Sequence, residues 1–123
     1  MRKSTEFVSA IESKEVLVAV AIAVAEKAMQ SVPAGHPKTE MYQSARHNIE
    51  VAKAGFGDIR RNSFGCGVSA AACSQAETLV AARILCADAI DMASYVWGSP
   101  QTYDRLEIEY INEAKRVAFG EQS

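Results

Sequence analysis

At 123 residues the chain suits one domain, able to bury roughly two-thirds of the surface its unfolded form exposes without disulfide or metal staples. Hydrophobic residues make up 49% and charged residues 23%, which excludes intrinsic disorder. The formal net charge of -2 supplies no long-range basic field, so no nucleic-acid partner is expected.

Helix signals dominate in chain order. Ser4 is positioned to cap a short first helix through Ile11, with Phe7, Val8 and Ile11 on one side. Ser13 caps a second, from Lys14 to about Ser31. Its centre places Val16, Val18, Val20, Ile22 and Val24 at every second position, with alanines between the last four, so a buried strand competes; the segment's length favours helix. The apolar run Val16 to Ala25 is about half of what a membrane span needs, and Glu6, Glu12 and Glu15 precede it, unlike a signal peptide. Pro33-Ala34-Gly35-His36-Pro37 reads as a linker, and Pro37 suits the first turn of a third helix ending near Ala54. Tyr42, Ala45, Ile49 and Ala52 mark its inward face; Arg46, Glu50 and Lys53 are spaced for pairing on the outer one. Gly55 and Gly57 end it.

The stretch from Phe56 to Gly67 is the least regular, with Gly65-Cys66-Gly67 as its break. Ser69 then caps a long fourth helix reaching about Trp97 and closed by Gly98. It is apolar nearly all round, which places it centrally. Ser99-Pro100 starts a fifth helix through Phe119, with Tyr103, Leu106, Tyr110, Ala114 and Val117 facing inward and Gly120 at its end. Alanine concentrates in helices two and four. The expected fold is all-α: a compact bundle of about five helices around two central alanine-rich ones, forming a single domain over residues 1–123.

Candidate chemistry is sparse. Cys66, Cys73 and Cys86 have no zinc-type spacing and fit a reducing cytoplasm as small hydrophobes. Gly65-Cys66-Gly67 before a helix could expose amides to an anion, or lower the pKa of Cys66; a tight turn using positive φ is the favoured alternative. A nucleophilic pair would need Cys66 beside His36 or His47, and neither this pair nor a zinc site is supported by a motif. Glu77, Asp88 and Asp91 fall in one helical sector and read as a polar seam rather than a metal site, since Glu-x-x-His is absent. Arg83, in the apolar fourth helix, requires a partner, with Glu26 a candidate. No catalytic residue, cofactor or metal is assigned. Phe56, Arg60, Arg61 and Phe64 combine the aromatic and arginine side chains that anchor protein interfaces and form the candidate contact patch.

Residues Ala25-Glu26-Lys27-Ala28-Met29, Pro33 to Pro37, Ser44-Ala45-Arg46-His47-Asn48-Ile49-Glu50-Val51-Ala52-Lys53 and the alanine-rich fourth helix together resemble the all-helical immunity proteins of bacterial polymorphic-toxin systems. The resemblance implies a small, non-enzymatic inhibitor that occludes a protein partner. Phage-encoded inhibitors of host defence proteins share the same gross features. A small-ligand binder or enzyme using the Gly65–Gly67 turn is the alternative from another class.

Overall fold

The computed structural model describes residues 2–31, 39–95 and 100–120, with the side chains of 39 and 100–103 left aside. The Pro33–Pro37 linker, His36, Trp97, Gly98, Ser99 and the Tyr103 side chain lie outside the described residues. Six helices run in the order α1 (Lys3–Ser9), α2 (Lys14–Gln30), α3 (Thr39–Ala54), α4 (Gly65–Ser74), α5 (Leu79–Ser94) and α6 (Pro100–Phe119). They form an all-helical compact bundle, and no strand occurs among the described residues.

Local signals account for most boundaries. The Ser13 hydroxyl accepts the Val16 amide at 3.3 Å and so satisfies one of the free donors that open α2. Gly55, at φ 83°, ends α3 in the left-handed conformation while its amide reaches the Val51 carbonyl at 2.9 Å. Ser4 departs from expectation. Arg2 is the N-cap residue of α1, and Ser4 lies inside the helix, where its hydroxyl donates to Asp91 at 2.8 Å. Ile11 falls just beyond the helix, buried in the core.

The largest correction concerns the predicted fourth helix, which is two helices. Thr78 is extended and its hydroxyl accepts the Ala81 amide at 3.1 Å, starting α5 afresh. The short turn between Ser74 and Leu79 folds α4 back against α5. Neither glycine nor proline marks this break. Ser69 lies within α4 rather than capping it, and Gly65-Cys66-Gly67 is the first turn of that helix instead of an interhelical turn. Neither of these glycines has positive φ. At Gly67 a β-carbon would crowd α3, sitting 3.1 Å from the Ala45 α-carbon and carbonyl oxygen. At Gly65 a β-carbon would meet only the flexible Met92 side chain, at 3.0 Å.

α2 and α5 are the central elements. α2 packs against α3, α4, α5 and α6, and α5 against α1, α2, α4 and α6. Leu17, Val20, Ala21, Val24, Ala25 and Ala28 of α2 have no exposed surface, nor do Ala82, Cys86, Ala89 and Ile90 of α5. Small side chains let the helix axes approach while the β-branched and longer residues fill the layer. α5 is nevertheless not enclosed on every side: Val80 is 64% and Ile84 57% exposed, and Met92 and Tyr95 also reach solvent. α1 closes one end, with its Phe7 ring edge-on to Phe119 at 5.8 Å.

Candidate interaction surface

The segment between α3 and α4 carries no helix, yet it is tied down at four backbone atoms. Asn48, fully buried on α3, donates from its amide nitrogen to the Arg60 carbonyl oxygen at 2.8 Å. Its side-chain oxygen accepts the Arg60 amide, also at 2.8 Å. One side chain thus satisfies both backbone groups of Arg60, as a neighbouring strand would. The same amide nitrogen also donates to the Ser63 hydroxyl at 3.0 Å. One residue earlier on α3, His47 donates from Nε2 to the Asp58 carbonyl at 2.9 Å. Gln75, in the turn after α4, donates to the Gly57 carbonyl at 2.8 Å. α3 and the turn after α4 therefore both hold 57–60 in place.

What this clasp presents is the side chains of the sequence-predicted patch, with one exception. Phe56 is 75% exposed, and Arg60 and Arg61 also face solvent. Neither arginine has a carboxylate at ion-pair distance among the described residues. Phe64 does not belong with them. It is buried, contributes to the core and serves as the N-cap position of α4. A phenylalanine directly before a helix whose first turn is Gly-Cys-Gly supplies the apolar bulk those residues lack, so burial there outweighs display. Asn48 carries no motif in the sequence, although its position among Ala45, Ile49 and Ala52 on the inward stripe marks a polar side chain that needs buried partners.

The neighbouring outer face of α3 extends the surface. Lys53 pairs with Glu50 at 3.5 Å, as the spacing predicts, and with Glu26 of α2 at 3.6 Å. Arg46 does not bridge to Glu50; its guanidinium lies over the Tyr42 ring, 5.9 Å from the centroid. Beside Gly55, a groove of about 400 Å³ runs between α2 and α3, lined by Val18, Ile22, Ala52 and Lys14.

Cys66 is fully buried and desolvation pushes its thiol up to about 12, the opposite of the lowering a nucleophile needs. His47 is committed to the Asp58 carbonyl. Cys73 and Cys86 are likewise buried, and burial raises both thiols.

The polar sector Glu77, Asp88 and Asp91 does not form a single seam. Glu77 lies in the turn before α5, Asp88 sits 4.0 Å from Arg2, and Asp91 is buried with Arg2 and Ser4 as partners. Desolvation raises the Asp91 pKa against the opposing pull of the Ser4 hydroxyl and Arg2. Arg83 does not meet Glu26, which pairs with Lys53; its Nε donates to the Ile11 carbonyl at 2.9 Å.

Among the described residues, no cluster of three or more histidine, cysteine or acidic side chains is placed to hold a metal, and no helix is long and apolar enough to cross a membrane. Comparison with known proteins finds no matching family model, no similar curated protein and no similar solved structure.

Proposed function

We propose that the protein acts by stoichiometric binding to another protein, through the segment 56–61 and the adjoining outer face of α3. The observation that carries this is the Asn48 clasp. A helix-borne amide, fully buried, fixes Arg60 by both backbone groups while Phe56, Arg60 and Arg61 remain in solvent. Order imposed on the backbone with anchor-type side chains left unused is the arrangement of a recognition loop on a rigid scaffold. Pre-ordering lowers the entropy lost on association, so the clasp favours affinity as well as position.

Within this class, the resemblance of the sequence from the end of α2 through the alanine-rich α4 and α5 to toxin-immunity proteins favours an inhibitor that occludes its partner in the cytoplasm. A phage-encoded inhibitor of a host defence protein would use the same surface. Genomic neighbourhood separates the two.

The test is a double variant, Phe56→Ala with Arg60→Ala. Both side chains project to solvent, so the fold should be retained, and circular dichroism checks it. Capture of the wild-type protein's partner from native-host extract should fall by on the order of tenfold or more, about 1.4 kcal/mol. Undiminished capture by the folded variant would remove this surface.

A further inference from the structure

A second surface lies on the exposed side of α5, distinct from the clasped segment. Val80 and Ile84, one helical turn apart, stand exposed on α5 and with Val8 and Ala87 make the walls and floor of a groove of about 280 Å³ between α1 and α5. Two branched aliphatic side chains more than half exposed on a central helix are costly to leave in water.

The charges of this groove have one sign. Both charged residues that line it are arginines, Arg2 and Arg83. Arg2 is satisfied, through Asp91 and Asp88. Arg83 is not. Its Nε is anchored to the Ile11 carbonyl at 2.9 Å, which orients the half-buried guanidinium, and no carboxylate lies within ion-pair distance of it among the described residues. The acidic residue of α1, Glu6, lines a different depression with Lys3 and Lys115, on the other flank of that helix. A guanidinium held at the edge of an apolar groove, with no partner for its terminal nitrogens among the described residues, presents planar donors suited to a carboxylate.

We propose that the α1–α5 groove docks an amphipathic helix of a protein partner, one that places an aliphatic side chain against Val80 and Ile84 and a carboxylate on Arg83. Helix-in-groove recognition seats the apolar face of a partner helix against apolar walls, which Val8 of α1 and Val80, Ile84 and Ala87 of α5 supply here. The carboxylate requirement comes from Arg83 and sets the chemistry of the partner: acidic on the flank of its apolar stripe. The proposal is independent of the 56–61 surface and does not rest on it.

A phage-displayed library of short helical peptides, selected against the purified full chain, tests it. Selected peptides should carry an aliphatic residue with Asp or Glu one turn away. Ile84→Asp, at an exposed position, should abolish their binding. Arg83→Met, which keeps the packing stem and removes the charge, should weaken it on the order of tenfold, and Arg83→Lys should restore part of the loss. Phe56→Ala with Arg60→Ala should leave peptide binding unchanged, which separates this test from that of the other surface.

Selection of no peptide, of peptides without acidic residues, or of peptides that still bind Ile84→Asp overturns the proposal. So does concentration-dependent dimerisation of the chain that Ile84→Asp abolishes, which would assign the groove to a second copy. Binding to anionic phospholipid vesicles that Ile84→Asp abolishes would assign it to a lipid surface and overturn the proposal equally.

Discussion

Replacing Asn48 by alanine should loosen the segment 56–61 and lower global stability together. The side chain makes three hydrogen bonds, two to the Arg60 backbone and one to Ser63. At a net 0.5–1.5 kcal/mol each, their loss costs about 2–3 kcal/mol, since water reaching the part-buried Arg60 groups recovers some of it. Asn48→Asp sharpens the test. Aspartate can still accept the Arg60 amide, but when ionised it faces the Arg60 carbonyl with no proton to donate. Its destabilisation should therefore exceed that of alanine at neutral pH and shrink on acidification, as the protonated carboxyl regains a donor. Urea denaturation of the three proteins gives the stabilities, and amide exchange at Arg60 reports the local effect. Both variants within about 0.5 kcal/mol of wild type, with Arg60 exchange unchanged, would refute the clasp.

Gly67→Ala should destabilise by roughly 1–3 kcal/mol despite alanine's better helix propensity, because the α3 backbone blocks the new methyl group, whereas Gly65→Ala should be tolerated as Met92 moves aside; thermal melts compare them. Ala89→Leu, at a fully buried position of α5, should cost a similar roughly 1–3 kcal/mol by overpacking, read as a lowered denaturation midpoint. The three thiols should resist a thiol reagent at mildly alkaline pH until the chain unfolds, since burial raises them all; fast labelling of native Cys66 would contradict this. For Asp91 the folded state holds the proton more tightly than the unfolded chain, so its contribution favours folding below the ordinary carboxylate range near pH ~4 and is lost as pH rises through the raised value. Relative to Asp91→Asn, the wild type should therefore gain stability as pH falls from neutral into that range; a wild type that loses ground instead would show that the ion pair with Arg2 outweighs desolvation.

The helical class, α2 and α3 were legible because their ends carry side-chain chemistry with one meaning: the Ser13 cap and the Gly55 left-handed terminus. The α4–α5 break was not, since its turn has neither glycine nor proline and its only marker is Thr78, a residue equally at home on a helix surface. Gly65 and Gly67 show a second limit. A sequence does not say whether glycine supplies positive φ or room for a neighbouring helix, and here Gly67 makes room for Ala45. Of the contact patch, Phe56, Arg60 and Arg61 lie at the surface, while Phe64 goes inward because the small residues after it leave core volume to fill. Arg83 was read as needing a charged partner; it met a backbone carbonyl, a group that leaves no trace in residue identity.

The central claim is that the clasped segment 56–61 is the recognition surface. Hydrogen exchange of the backbone, measured on the protein alone and in complex with the partner captured from its native host, tests it most directly. The account predicts that amides of 56–61 and of the outer face of α3 gain protection in the complex. Protection confined to other elements, with 56–61 exchanging as in the free protein, would contradict it.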